Sequence, residues 1–279
     1  MDVSVVICTR NRAAPLAETL LRWLDIKAPF SWELVLINNN ATDNTAQVIE
    51  DFRQHFPQNL IYYLETALGL GAARDRGWRL AQGELVVFTD DDCYPAPDYL
   101  SMMYQCFIED PQLGFVGGRV LLYDPTDYPI TIQEFPTRRC FPPRSFLEPG
   151  FIQGANFACR RQALVDINGF DPRLGAGTRF PVEDADVLAR LSAAGWHGTY
   201  DPRPVVYHHH RRKTAQEVAH LRKQYDWGRG AYYIKCLQDP RIRWTYLKNW
   251  LLRIPRQKPR HILTELHSAF HFWWQYNHS

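Results

Sequence analysis

The feature that most constrains this chain is a set of short, unbroken apolar runs: "VSVVICT" (3–9), "WELVLINN" (32–39) and "GELVVFTD" (83–90). Each is too short for a stable helix and carries aliphatic residues at successive positions, the pattern of a strand buried on both faces. "IYYLE" (61–65) supplies a fourth run. The segments between them have helical spacing. "NRAAPLAETLLRWLDI" sets Leu16, Leu20, Leu21 and Leu24 on one stripe, and "TDNTAQVIEDFRQHF" opens with capping residues before repeating Val48, Ile49, Phe52 and Phe56. "ARDRGWRLAQG" reads as a third helix, with Gly83 at its C-cap. Strands alternating with helices in this way predict an α/β fold, with a mostly parallel central sheet flanked by helices.

Such sheets bind ligands at the carboxyl ends of their strands. Here those ends carry "CTRNR", "NNNATDN" and "TDDDC", so three strands deliver polar groups to one edge. The triplet Asp90, Asp91 and Asp92 is the most demanding, because adjacent carboxylates raise one another's pKa unless something positive stands nearby. Oxygen ligands of this kind suit Mg²⁺ or Mn²⁺. The competing explanation is a solvated turn whose aspartates cap the helix near "PAPDYL". Further on, "YHHHRR" (207–212) closes another apolar strand, and strand alternation turns His208 and His210 to one side and His209 to the other. One imidazole could complete an oxygen-rich metal site; otherwise the run is a basic surface stretch. "VEDADVLARL" opens a helix with Glu183, Asp184 and Asp186, where the macrodipole favours anions and one carboxylate could act as a general base. "GLGAARDRG" lacks the glycine spacing of a dinucleotide fold or a P-loop, which removes both classes. Residues 124–150 are rich in proline and aromatics and read as a long loop, a length that usually serves a site.

The chain order "VSVVICTRNR", "NNNATDNT", "ARDRG", "FTDDDC", "GANFACRR", "GFD", "VEDADVLARL", "VVYHHHR" resembles the inverting glycosyltransferases of family 2, which have the GT-A fold, over roughly residues 3 to 212. The resemblance implies that Asp92 binds a divalent cation, Mn²⁺ or Mg²⁺, and that Asp90 and Asp91 face the ribose and the metal-diphosphate. It nominates Asp184, the second acid beside Glu183, as catalytic base. His208 matches the family's late metal-binding histidine, with His210 the alternative. Thr9 and Arg12 match the residues beside the nucleotide. Asn38 and Asp43 match the segment that holds the nucleobase, and Arg74 matches the Arg of "ARNxG". Gly154, Ala155 and Asn156 match the small-residue turn beside the donor sugar. Two positions depart from the pattern: Asn38 stands where Asp is common, and Asp75 where Asn is usual. An Asn carbonyl still accepts a hydrogen bond from uracil, without the charge.

The resemblance therefore implies a metal-dependent transfer of a sugar, with inversion, from a nucleotide-sugar (a UDP-sugar is the expected donor) to a hydroxyl of a glycan or lipid-linked acceptor. A sugar-phosphate nucleotidyltransferase is the rival enzyme, but it should show an N-terminal glycine-rich loop, and "CTRNRAAPL" contains no glycine. A non-catalytic glycan-binding relative would be expected to lose the acids, and both Asp92 and Asp184 are present.

A net charge of +2 hides an uneven spread. Residues 211–279 hold 14 Lys/Arg against 4 Asp/Glu and five of the nine tryptophans. A glycosyltransferase domain at 1–212 and a basic, aromatic helical extension at 213–279 are expected, the latter either lying at a membrane interface, capping the core, or forming a dimer contact. Nucleic acid is not an expected partner of a chain whose body is acidic. The six scattered cysteines form no CxxC pair and fit a reducing compartment. The N-terminus has no basic flank ahead of an apolar run. The expected location is cytoplasmic, with peripheral attachment to the inner face of the cell membrane.

Overall fold

The structure, a computed structural model, describes residues 1–277. Its elements run β1 (Val3–Thr9), α1 (Ala13–Trp23), β2 (Trp32–Asn38), α2 (Thr45–Arg53), β3 (Asn59–Leu64), α3 (Leu70–Leu80), β4 (Leu85–Asp90), β5 (Cys93–Pro95) and α4 (Tyr99–Glu109). They continue with β6 (Leu113–Leu122), β7 (Arg139–Phe141), β8 (Asn156–Arg160), α5 (Arg161–Asp166), α6 (Glu183–Ala193), β9 (His197–His208), α7 (Ala215–Gln238), α8 (Arg243–Arg253) and α9 (Pro259–Asn277). One mixed sheet has the order β3-β2-β1-β4-β8-β6-β9-β5, with β7 paired to β9 off this path. Strands β3, β2, β1 and β4 are mutually parallel, and β8 is antiparallel to both β4 and β6.

The apolar runs become strands because both faces of the sheet are covered. Val5, Ile7, Leu34 and Leu36 pack under α1, α2 and α4, with Leu16, Leu20, Trp23, Ile49 and Phe52 facing them. Val6, Val35, Val86 and Phe88 pack on the opposite side against Trp78, Leu164, Val187 and Leu191. The helix stripe of α1 differs from its sequence pattern: Leu16, Leu20 and Trp23 are buried, whereas Leu21 and Leu24 are exposed. Trp23 fills the space between Trp32 and Tyr99, and this turns the two leucines outward. Gly83 is not a C-cap either. Helix α3 ends at an extended Ala81, and a Cβ on Gly83 would lie 2.5 Å from the Ser4 nitrogen. It is the close approach of this turn to β1 that requires glycine.

The prolines set the breaks in the C-terminal part. Pro240 lies between α7 and α8, Pro255 in a short 3₁₀ turn, and Pro259 opens α9. Thr214 caps α7 in a reciprocal box with Glu217. A third apolar cluster joins α6 to this part, through Val182, Ala185 and Ala189 with Tyr232, Tyr233, Tyr246 and Phe272.

Candidate active site

Strand β4 ends at Asp90, and β5 begins three residues later, so Asp90, Asp91 and Asp92 form a tight turn between them. Strand β5 pairs antiparallel with β9, Cys93 against His208, which brings the last histidine of the strand alongside the triplet. Carboxylate oxygens of Asp90 and Asp92, Nε2 or Nδ1 of His208 and the Cys93 sulfur lie within 4.8 Å of one another. The Cys93 thiol is fully buried, its pKa is raised by burial, and sulfur is a soft donor that Mg²⁺ and Mn²⁺ do not favour. Two carboxylates and an imidazole are left, a donor set suited to Mn²⁺.

His208 has the orientation such a role needs. Its Nδ1 faces the Thr131 carbonyl at 3.2 Å, which leaves Nε2 turned to Asp92 Oδ1, also at 3.2 Å. His210 is built differently: Nε2 donates to the Tyr128 carbonyl at 3.0 Å and Nδ1 accepts from the Arg212 amide at 3.0 Å. Both its nitrogens are thus engaged away from the triplet. His209 meets the Tyr94 hydroxyl at 2.9 Å.

The three aspartates have unlike surroundings. Asp91 accepts from Thr9 Oγ1 at 2.6 Å and from Arg12 Nε at 2.8 Å, and its own carbonyl receives Thr19 Oγ1 at 2.8 Å. It is a tie between β1, α1 and the turn rather than an open ligand. Burial works against ionisation of Asp92, but the hydrogen bond and charge of His208, with Arg12 at 2.5 Å, outweigh it and hold its pKa down to about 2. Asp90 is the most accessible, its side chain 32% exposed.

Arg74 connects this turn to the second acidic group. Its side chain is 2% exposed and its guanidinium donates to Asp90 at 2.9 Å, to Glu183 at 2.8 Å and to the Gly154 carbonyl at 2.9 Å. The first turn of α6 is thereby held against the end of β4. Burial pushes Glu183 up to about 7, against the pull of Arg74. Asp184 is also raised, chiefly by burial, while Arg74 and the amides of Ala185 (2.7 Å) and Gly154 (2.8 Å) oppose the shift. Glycine at 154 lets these groups approach closely: a Cβ would lie 2.8 Å from an Arg74 nitrogen and 3.2 Å from Asp184 Oδ2.

The remaining predicted residues fall into two groups. Asn38 ends β2, and its side chain receives the Ala41 amide at 2.8 Å and donates to the Tyr62 hydroxyl at 3.2 Å. Asp43 accepts the amide and hydroxyl of Thr45, the first residue of α2, and the Ala13 amide at 3.0 Å, joining α1 to α2 at the same sheet edge. Ala155 is buried and its carbonyl receives Thr89 Oγ1 at 2.8 Å. Asn156 does not line a ligand space. It is fully buried, and its amide is spent on Tyr99, the Arg119 carbonyl and the Pro204 carbonyl, so it anchors β8 to β6 and β9.

Three participants were not singled out in the sequence. Thr131 orients His208 from within the long 124–150 loop, with a backbone φ of 55° that a β-branched residue rarely adopts. Arg212 contributes positive charge toward Asp92. Tyr225 of α7 is 41% exposed as a residue, yet its phenol pKa is raised by desolvation and by the charges of Asp184, Asp90 and Glu183. Only the unusual length of the loop carried any sequence signal for these.

A layered α/β domain with acidic groups gathered at one edge of its parallel strands is the architecture of GT-A glycosyltransferases. The mannosyltransferase PcManGT from Pyrobaculum calidifontis, solved with GDP-Man and Mn²⁺, superposes with a TM-score of 0.70 at 21% identity, covering 95% of this chain and 73% of that one. S. aureus TarS residues 1–349 with UDP-GlcNAc gives a TM-score of 0.69 at 17% identity, covering 98% and 81%. The sequence model of glycosyl transferase family 2 matches residues 4–167, and the chain belongs to that family. Its relatives include the pre-mycofactocin glycosyltransferase of Mycobacterium tuberculosis, 27% identical over 228 residues. That match covers 78% of this chain but 45% of the relative, so the chain spans about half that protein's length. The N-acetylglucosaminyl-diphospho-decaprenol L-rhamnosyltransferase of the same organism is 26% identical over 253 residues, covering 78% and 80%.

Proposed function

We propose that this family 2 enzyme is a metal-dependent, inverting glycosyltransferase, moving a sugar from a nucleotide-sugar donor to a hydroxyl of a glycan or lipid-linked acceptor. The observation that carries this reading is the Arg74 bridge. One buried guanidinium holds both Asp90 and Glu183, so the acidic triplet and the first turn of α6 address one space. Asp90, Asp92 and His208 would hold a divalent cation, and their clustering, with Nε2 of His208 turned inward, fits one. When bound, such a cation offsets the charge that develops on the departing diphosphate.

The chain's own groups do the rest. Thr9, Asn38 and Asp43 flank the nucleoside at the ends of β1 and β2, and Arg12 steadies Asp91 and Asp92. Gly154 and Ala155 form the turn beside the donor sugar. Asp184 takes the proton from the acceptor hydroxyl. Its raised pKa makes it a stronger base than an ordinary carboxylate, and the Gly154 and Ala185 amides fix its direction. The oxygen then attacks opposite the leaving group and inverts the anomeric centre. Residues 1–212 form the catalytic unit in this reading and 213–279 an extension that lends Tyr225 to the cleft.

A UDP-sugar is the first donor to test, although the related folds were solved with both GDP-Man and UDP-GlcNAc. The decaprenol in the name of the rhamnosyltransferase relative favours a lipid-linked acceptor at the inner face of a membrane. The reading is tested by thermal shift against a panel of UDP- and GDP-sugars, with and without Mn²⁺. One donor should stabilise the protein only when Mn²⁺ is present. His208→Ala should abolish that effect and His210→Ala should leave most of it. Metal-independent stabilisation, or loss in the His210 variant alone, would contradict the assignment.

A further inference from the structure

Helix α9 is apolar on two opposite faces. Ala269 and Phe272 are buried on the side that meets α7, while Leu263 (67% exposed), Leu266 (49%) and Phe270 (57%) line the other at helical spacing. From Leu263 to Tyr276 there is no Lys or Arg, and the one acid, Glu265, is buried and paired with Arg229. A face left to water would ordinarily carry charge. Helix α8, linked to α9 by the bond from Trp250 Nε1 to Glu265, likewise exposes Trp244 (74%), Leu251 (54%) and Leu252 (53%). Positive charge borders both surfaces. Residues 241–260 contain seven Lys/Arg and no acid. Among the described residues, only Arg241 and Arg253 of these seven have an acidic partner within 4.0 Å.

We propose that α8 and α9 lie in the interface of an anionic lipid bilayer, apolar faces inserted and the bordering cations on the headgroups. The inference deepens the reading of a lipid-linked acceptor and rests on it for its purpose. No described helix is long and apolar enough to cross a membrane, so the helices lie on the bilayer instead of spanning it. A second copy of the chain is a poorer occupant of the surface. The corresponding stretch of a partner would bring only the buried Glu265 to pair with five unpaired cations, whereas anionic headgroups neutralise them. Helix α7, on which both helices pack, also packs on α6, whose first turn carries Asp184, so a docked tail would hold the cleft beside the lipid surface.

The test is flotation of the full chain with phosphatidylcholine vesicles, with and without phosphatidylglycerol. The chain should float only with phosphatidylglycerol, and less so as salt is raised. The pair Leu263→Asp/Phe270→Asp and the exposed triple Arg256→Gln/Lys258→Gln/Arg260→Gln should each weaken binding about tenfold or more. If the first pair fails to fold, the triple decides. Absence of flotation, equal binding to neutral vesicles, or a light-scattering dimer abolished by the first pair in a protein that does not float would overturn the proposal. Flotation requires no donor, so it stands or falls separately from the Mn²⁺-dependent donor binding on which the catalytic reading depends.

Discussion

Replacing Arg74 by methionine would keep much of the side-chain volume and remove the charge that holds the two acidic groups together. Three hydrogen bonds are lost, to Asp90, Glu183 and the Gly154 carbonyl. Removing one partner of a buried ion pair costs about 3–5 kcal/mol. The low end applies, because Asp90 is 32% exposed and can be rehydrated, and Glu183 can take a proton. A loss of about 3 kcal/mol lowers Tm by about 6–12 °C for a chain of this size. The penalty should also depend on pH. Burial raises the folded pKa of Glu183 from 4.5 to about 7, so the folded state binds the proton more tightly than the unfolded one. Stability contributed this way is present below the unfolded value and is lost as pH rises through the folded one. Without Arg74 that folded value moves higher, so the loss continues above the point where it ends in the natural protein. Thermal melts of both proteins from mildly acidic to mildly alkaline pH should show the gap widening above neutrality. An unchanged Tm, or a gap independent of pH, would refute the electrostatic reasoning.

Gly154→Ala should leave the fold intact but displace either Arg74 or Asp184, since the new methyl would lie 2.8 Å from one and 3.2 Å from the other. A shift of that kind should cost about 10²-fold in turnover, and initial rates at wild-type level would contradict it. Burial opposes ionisation of Asp171, but hydrogen bonds from Arg173 and the charge of Lys235 outweigh it and hold its pKa well below the usual carboxylate range. The stability it lends to α7 is therefore present above about pH 4 and lost as pH falls further. Melting curves of Asp171→Asn should depend less on pH below that point than those of the natural protein; an equal dependence would show the pairing is unimportant.

The parallel half of the sheet was legible because Val, Ile and Leu at successive positions are a local signal. In the other half the strand that ends at the histidines was legible too, but the pairing was not. Whether β8 and β5 run antiparallel depends on partners far away in sequence, which no run of residues announces. Asp90, Asp92, Asp184 and His208 could be nominated by chemical type and chain order, and the structure brings them to one edge. Alternation alone could not separate His208 from His210. The difference is made by the Thr131 and Tyr128 carbonyls, contributed by the segment 124–150, which was read as a plain loop but carries β7, paired to β9. Asn156 was placed beside the donor sugar by resemblance alone, and no local pattern announced that Tyr99 and two carbonyls would close around it. Tyr225 was not nominated because capping of the core was only one of three roles open to the tail and no residue of it was marked out.

The account turns on Asp184 as the base in a cleft shared with the metal ligands. The most direct measurement is nucleoside-diphosphate release by Asp184→Asn, with donor and acceptor saturating and donor affinity measured in parallel. The account predicts a fall of about 10²–10⁴-fold in turnover with donor affinity retained. Turnover near the wild-type level in a folded, donor-binding variant would contradict it.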